Sequence, residues 1–285
     1  MFLYKYVTED RISILKDGLI RFSQPQAFND PFELKPHISE IMDRAGLEKT
    51  ISDLLPEIIK NEYDKQSQEF RNKIPFDIFM SFAEVNAEKI IGDKDVFLAS
   101  GAKIMQQIVC EGIEKVIGIL SLSESVNNLL MWAHYANSHQ GFVIEFDSSN
   151  KFFNQQINEN DELRYLRKIS YSDERPNIRI NVRDGSDAGV KMFLTKSNEW
   201  SYEKEWRIML PLEHSDKKIK SIPHDIHLFK IPFSAISKVI IGARATQETV
   251  QEIKEAILVN SELNHITLCK MLIDDKRYEL KMEKI

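Results

Sequence analysis

Apolar and polar positions at the start of the chain follow a strand–helix–strand pattern. Residues 2–7 (FLYKYV) are rich in aromatic and β-branched side chains, and residues 19–23 (LIRFS) alternate between apolar and polar positions. Between them, apolar residues recur at helical spacing after Thr8 and stop at Gly18. The pattern predicts a strand, a helix over 8–18 capped by Thr8, and a second strand.

The apolar positions of residues 38–118 repeat with the period of a helix. Three or four amphipathic helices are expected there, separated by Pro56, Pro75 and Gly92. We interpret this segment as a helical insertion between two β-rich parts of the chain.

The remainder of the chain mixes strands with short helices. Strands are expected at 141–147 (GFVIEFD) and 203–212 (EKEWRIMLPL), and helices at 187–200 and 246–259. Together with the first elements, they predict one α+β domain over residues 1–285, with a mostly antiparallel sheet and an inserted helical subdomain.

The composition is that of a globular protein. Of the 285 residues, 42% are hydrophobic and 29% charged, which is enough apolar material for a sizeable core. The net charge of −6 disfavours non-specific binding to a nucleic-acid backbone. The first ten residues, MFLYKYVTED, have no basic start and no long apolar run, so we expect no signal peptide, no membrane partner and a cytoplasmic location.

Candidate metal ligands are sparse. Cys110 and Cys269 are far apart, and His224 and His227 have no third ligand at a convincing spacing. The sequence also lacks the dinucleotide-binding, phosphate-loop, zinc-protease and serine-hydrolase motifs. We therefore predict no metal site from these residues.

The first polar cluster lies at 29–33. Asn29 and Asp30 precede Pro31, which is typical of a turn because Asx side chains bond their own backbone. A turn alone does not account for Glu33 or for the flanking Phe32. The alternative is that the turn directs these two side chains into a cavity.

The second cluster combines Trp132, His134 and Tyr135 just before the strand at 141–147. Taken singly, each side chain is explained by core packing or a buried hydrogen bond. Taken together, they are also typical of a pocket wall, since aromatic rings stack on planar ligands and their polar tips fix the orientation of the ligand.

The third cluster is formed by Glu203, Glu205 and Arg207. If all three lie on a strand, they share one face, with the two glutamates about 7 Å apart. One reading is an ion pair between Glu205 and Arg207. The other is a general base with an anchor for ribose or a cation, and Arg207 placed for a phosphate.

The order of the motifs YKY, FNDPFE, MWAHYA, GFVIEFD and YEKEWR resembles a bacterial family of unknown function. That resemblance implies a lone cytoplasmic chain, in some members encoded near mobile elements and phage-defence genes. It implies no particular chemistry.

The opening LYKYV, the helix over 8–18 and LIRFS are also similar to the start of ADP-ribosyltransferases. This second resemblance implies a split antiparallel sheet and NAD as the substrate. Tyr4, Lys5 or Tyr6 would occupy the first motif, residues 132–135 would stack on nicotinamide, and Glu203 or Glu205 would be the catalytic glutamate. The candidate catalytic residues are Glu205, Glu203 and His134, and the candidate NAD-binding residues are Lys5, Tyr6, Ser23, Asn29, Asp30, Glu33, Trp132, Tyr135 and Arg207.

The leading hypothesis is an NAD-consuming transferase or glycohydrolase, acting as a toxin or phage-defence effector on a protein or nucleic-acid acceptor. The segment 38–118 would be a lid or would recognise the acceptor. One alternative is a metal-dependent nuclease, with the carboxylates around Mg²⁺ and His134 as base. Another is a non-catalytic sensor of a nucleotide or phage protein. All three require the distant clusters to share one cavity.

Overall fold

A computed structural model describes residues 1–91, 94–179 and 187–285 of the chain, so Gly92 lies outside the described residues. Two compact units are present. The first, here the cavity unit, comprises Met1–Lys35, Glu111–Arg175 and Val190–Ile285, and the second, here the helical unit, comprises Pro36–Cys110 and Pro176–Gly189.

The strands are β1 (Phe2–Val7), β2 (Leu19–Phe22), β3 (His37–Glu40), β4 (Ile117–Ser123), β5 (Phe142–Asp147), β6 (Arg167–Lys168), β7 (Ser170–Ser172), β8 (Asn177–Arg179), β9 (Thr195–Ser197), β10 (Glu205–Pro211), β11 (Lys217–Ile219), β12 (Ile226–Lys230), β13 (Ile236–Ile241), β14 (Thr267–Ile273) and β15 (Leu280–Lys284). The α-helices are α1 (Ser13–Asp17), α2 (Arg44–Asp64), α3 (Gln68–Lys73), α4 (Phe76–Ile91), α5 (Lys94–Val116), α6 (Leu129–Tyr135), α7 (Asp187–Leu194) and α8 (Gln247–Val259). This is the α+β class that the sequence predicts.

The cavity unit is built on an eight-stranded sheet in the order β15-β14-β13-β5-β1-β4-β10-β6. Its neighbouring strands are antiparallel except β13 and β14, which are parallel and joined through α8. Apolar residues alternate between the two faces of the sheet, so that Phe142 and Ile144 enter one core and Val143 enters the other. The predicted, mostly antiparallel sheet is confirmed.

The central strand β1 is paired unequally with its two neighbours. It is aligned with β5 from Phe2 to Val7, whereas its register with β4 consists of the pair Tyr4 and Ser123. On the far side of that pair, β4 bridges instead to Ser23, opposite Ile119. A gap therefore opens between β1 and β4 in the middle of the sheet.

Several local predictions need correction. The helix expected over 8–18 is a 3-10 turn at Glu9–Arg11 followed by α1, and Thr8 makes no capping bond, although Gly18 ends α1 in the left-handed conformation as expected. The helix expected over 187–200 stops at Leu194, and the chain continues as β9 and a 3-10 helix at Asn198–Glu203.

The helical unit contains α2, α3 and α4, most of α5, and a parallel pair of strands, β3 and β8. Asp43 caps α2 by accepting a hydrogen bond from the Gly46 amide. Pro56 lies inside α2 and does not end it. Within the described ranges, none of the helices has both the length and the apolar character that crossing a membrane requires.

Candidate functional site

A cavity of about 350 Å³ lies in the cavity unit, at the gap between β1 and β4. This volume is at the lower end of the range for small-molecule pockets, about 300–1,000 Å³. Its walls are formed by Tyr4, Lys5, Tyr6, Thr8, Ser23, Ala27, Phe28, Asn29, Asp30, Glu33, Ile119, Ser121, Leu122, Ser123, Met131, His134, Tyr135, Lys196, Trp200, Glu203 and Glu205. All three polar clusters of the sequence contribute to it.

Strand register accounts for part of this convergence. Ser123 on β4 is opposite Tyr4 of β1 on one side and Glu205 of β10 on the other. Residues aligned across neighbouring strands point to the same face of a sheet. The pairing therefore brings the start of the chain and the YEKEWR motif to one end of the cavity.

Five buried charged side chains contact one another beside the cavity, and we call them the ion cluster: Glu33, Lys196, Glu203, Glu205 and Arg207. Lys196 Nζ lies 2.6 Å from Glu203 Oε2 and 3.2 Å from Glu205 Oε2. Its third carboxylate neighbour is Glu33, with Oε2 at 3.5 Å. One ammonium group thus holds carboxylates from both the 29–33 turn and the YEKEWR motif.

Arg207 is the second cation of the ion cluster and is fully buried. Its Nε donates to Glu205 Oε1 at 2.7 Å, and Nη2 donates to Glu205 Oε2 at 2.9 Å and to Glu33. Nη1 donates to the Phe193 carbonyl at 2.9 Å. The expected phosphate contact does not fit Arg207, because every guanidinium nitrogen is engaged and the side chain does not line the cavity.

The pKa values of Glu205 and Lys196 in the ion cluster depend on burial and on the charges of their neighbours. Burial, reinforced by the charge of Glu203, raises the pKa of Glu205 above the ordinary range, although Lys196 opposes this. Burial alone would lower the pKa of Lys196, but Glu205 and Glu203 raise it above its ordinary value. Lys196 therefore remains an ammonium group at any physiological pH.

The turn before Glu205 explains how two neighbouring glutamates reach one ammonium. Glu203 ends the 3-10 helix at Asn198–Glu203 and is not on β10, contrary to the strand predicted over 203–212. Lys204 follows in the left-handed conformation, with φ 45°. Ser123 Oγ also donates to the Glu203 carbonyl at 2.6 Å. The tight turn at Lys204 therefore directs the Glu203 and Glu205 side chains to the same ammonium group. The sequence had suggested a shared orientation of these two side chains, but on the basis of strand geometry.

Aromatic side chains form another wall. Tyr135 Oη donates to Glu203 Oε1 at 2.5 Å, and burial and the charge of Glu203 raise the pKa of this phenol. Trp200 also lines the cavity, with its ring centroid 5.0 Å from Lys196 Nζ. His134 Nδ1 is 3.0 Å from the hydroxyl of Tyr202 and within 6.5 Å, between ring centroids, of Trp200.

Trp132 does not take the stacking position that was expected for it. Its indole is fully buried, packs edge-on against Tyr6 at 5.3 Å and donates to the Val126 carbonyl at 2.7 Å. It also stacks on His139. Trp132 is therefore a core residue, whereas Tyr135 and Trp200 present their rings to the cavity.

The remaining candidates from the first part of the chain line the cavity in different ways. Lys5 Nζ donates to the Ser121 carbonyl at 3.0 Å across the gap, and Tyr6 Oη donates to a carbonyl at 2.8 Å. Asp30 accepts from the Phe32 amide at 2.8 Å, which confirms the expected Asx turn. Asn29 and Ser23 also contribute to the wall.

Sequence reasoning missed two important residues, Lys196 and Trp200. Both lie in the segment that was assigned to a helix over 187–200. The available signal was the Thr-Lys-Ser-Asn run at 195–198, three residues before YEKEWR, which combines a strand former with turn-forming residues.

Within the described part of the chain, no group of three or more His, Cys, Asp and Glu side chains is arranged to hold a metal ion.

The fold and the site define an α+β protein with an ion cluster beside a ligand-sized cavity. A family model described as "Protein of unknown function (DUF2971)" matches residues 131–208, which confirms the resemblance to a family of unknown function. The matched range contains every member of the ion cluster except Glu33. No curated protein matches the chain, and no solved structure matches it.

Proposed function

We propose that the chain is an NAD-consuming enzyme of the ADP-ribosyltransferase type, acting as a transferase or as a glycohydrolase. The observation that carries the proposal is the meeting of Glu203, Glu205 and two aromatic rings in one cavity. The gap between β1 and β4 supports it further, because a split sheet is what the ADP-ribosyltransferase resemblance implies.

The reaction would break the glycosidic bond between nicotinamide and ribose, and positive charge would develop on the ribose. Buried carboxylates stabilise such a cation strongly, because water does not screen them. Glu205 is held rigidly by Arg207 and Lys196, so its position is fixed before substrate binds. We assign Glu205 to the ribose and Glu203 to the support of Tyr135.

The rest of the substrate would contact the remaining walls. Tyr135 or Trp200 would stack on the nicotinamide ring, in place of Trp132. Lys5, as an ammonium group, would bind the diphosphate. Water or a nucleophile on a protein or nucleic acid would then accept the ADP-ribosyl group, which is the chemistry expected of a toxin or phage-defence effector.

The metal-dependent nuclease has less support from this geometry. Lys196 and Arg207 already form ion pairs with the three glutamates that would bind Mg²⁺. These cations would have to be displaced before the carboxylates could bind a metal ion.

The test is nicotinamide release from NAD by the full chain, followed by chromatography. We expect Glu205→Gln to lower the rate by about 100-fold or more, because the variant lacks the charge that stabilises the cation. Glu145→Gln is the matched control, since Glu145 is equally buried and paired with Lys238 but does not line the cavity.

Three results would overturn the proposal. Full activity of Glu205→Gln would remove its assigned role. Metal-dependent cleavage of RNA or DNA without nicotinamide release would favour the nuclease, and tight nucleotide binding without turnover would favour a sensor.

A further inference from the structure

Lys5 can do more in the cavity than bind a diphosphate, because its amine is also a potential nucleophile. It lies on β1, where β1 and β4 separate, and its side chain lines the cavity. Among the described residues, the hydrogen-bond partner of Nζ is the Ser121 carbonyl, at 3.0 Å. An ammonium group has three N–H donors and a neutral amine has a lone pair, so Lys5 retains capacity to react with a ligand.

The charged groups that face Lys5 come from three elements. Burial is the main influence and lowers the pKa of Lys5 from 10.5 to about 8, the charges of Glu205 and Glu203 raise it, and Arg21 on β2 lowers it. Compared with a lysine of unperturbed pKa, the neutral fraction at pH 7 is larger by roughly 300-fold. Desolvation next to a second cation is a known means of activating an amine towards carbonyl groups.

We infer that Lys5 is a nucleophilic amine that captures the aldehyde of a reducing ribosyl nucleotide in the cavity as an imine. The inference rests on the proposed function, because loss of nicotinamide to water leaves a ribose whose ring-opened form is an aldehyde. The charged fraction of Lys5 would bind phosphate, and the neutral fraction would react.

The step balances without an oxidant or reductant. The Nζ lone pair attacks the aldehyde carbon, and the carbonyl oxygen takes up a proton to give a carbinolamine. The carbinolamine loses its hydroxyl group as water and a proton from nitrogen, which forms the C=N bond. Glu205, which lines the same cavity, would donate and accept the proton. The enzyme would thereby retain its product until water hydrolyses the imine.

The test uses the full chain with ADP-ribose and sodium cyanoborohydride, which reduces an imine to a stable amine. Intact mass and peptide mapping should show one adduct, on Lys5, formed at least tenfold faster than on any other lysine at pH 7. The labelling rate should rise with pH and level off above about 8, because only the neutral amine reacts. ADP is the ligand control, because it has no reducing ribose.

Lys5→Arg keeps the positive charge and should abolish the adduct, whereas Lys238→Arg, on a strand lysine outside the cavity wall, should leave labelling unchanged. The peptide map of the unaltered chain identifies the site even if Lys5→Arg fails to fold. No adduct, or labelling spread evenly over surface lysines, overturns the inference. ADP-ribose is supplied directly, so a chain that labels at Lys5 without cleaving NAD would refute the proposed function and not this site.

Discussion

Arg207 requires well-placed carboxylates as neighbours, because its guanidinium is fully buried. Removing a cation from water costs several kcal/mol, which only well-placed carboxylates offset. Glu33 and Glu205 meet that need from two distant parts of the chain. Burial lowers the pKa of Arg207 to about 9, so it stays charged at neutral pH. The pairs therefore fix the position of Glu33 as well as that of Glu205.

We predict that Glu205→Gln lowers the free energy of unfolding by about 3 kcal/mol, since it leaves Arg207 with one carboxylate in place of two. Glu203→Gln should cost less, about 1–2 kcal/mol, because Glu203 contacts Lys196 and Tyr135 but not the guanidinium. Urea unfolding of both variants measures the difference. Equal losses of unfolding free energy in the two variants would contradict this prediction, because they would mean that Arg207 depends on Glu203 as much as on Glu205.

This difference affects the activity assay, because Glu205→Gln changes both chemistry and stability. A loss of activity in Glu205→Gln is therefore interpreted together with the unfolding measurement. Glu203→Gln also removes a negative charge from the cavity, and we expect it to cost less stability. If both variants lose nicotinamide release while Glu203→Gln stays fully folded, local unfolding does not explain the loss.

Among individual residues, Glu33, Glu203 and Glu205 could be predicted from the sequence as candidate site residues, because carboxylates next to aromatic residues are conspicuous in a strand or turn. It did not identify Lys196, since a single lysine in a helical pattern is normally a solvated residue. Only the tertiary structure shows that Lys196 is buried among three carboxylates. The sequence likewise placed Trp132 in the cavity, although it packs in the core.

Among the elements, the turn at Lys204 is the one on which the cavity depends most directly. It separates the 3-10 helix that ends at Glu203 from β10, and its φ of 45° is unfavourable for a residue with a Cβ. This conformation lets Glu203 and Glu205 contact the same ammonium.

Lys204→Gly should therefore be neutral or stabilising by up to about 1 kcal/mol, because glycine adopts this conformation without strain. Lys204→Val should be destabilising by roughly 1–3 kcal/mol, because a β-branched residue is strongly disfavoured there. Thermal unfolding and nicotinamide release measure both effects. If valine is tolerated as well as glycine, the turn is not what holds the two carboxylates together.

Elements with a strong local signal were predicted well. Runs rich in apolar, aromatic and β-branched residues located β1, β2, β5 and most of β10, and the helix expected over 246–259 is α8, which Thr246 caps. Errors arose where tertiary contacts decide the backbone. The segment Thr195–Ser197 pairs as β9 with the distant β7, which a local helical pattern cannot reveal.

At the scale of the whole molecule, every residue lining the cavity belongs to the cavity unit. The core of that unit is formed by residues of its own strands and helices. The helical unit has its own helix packing and its own strand pair. If residues 38–118 recognise the acceptor, the cavity unit carries out the chemistry and the helical unit binds the acceptor.

We predict that a chain in which Gly/Ser linkers replace Pro36–Cys110 and Pro176–Gly189 folds and still releases nicotinamide from NAD. The closure cost of longer flexible linkers rises slowly with their length, so generous linkers can be used. Circular dichroism and nicotinamide release measure the outcome, and Glu205→Gln in the trimmed chain shows whether the remaining activity comes from the same cavity.

The trimmed chain also separates the two roles considered for residues 38–118. If these residues recognise the acceptor, hydrolysis of NAD is retained while transfer of ADP-ribose to protein or nucleic acid from a cell extract is lost. If they act as a lid, hydrolysis itself changes, because water enters the site more freely and the carboxylates are screened. A trimmed chain that folds, hydrolyses NAD and still modifies the acceptor would assign both functions to the cavity unit.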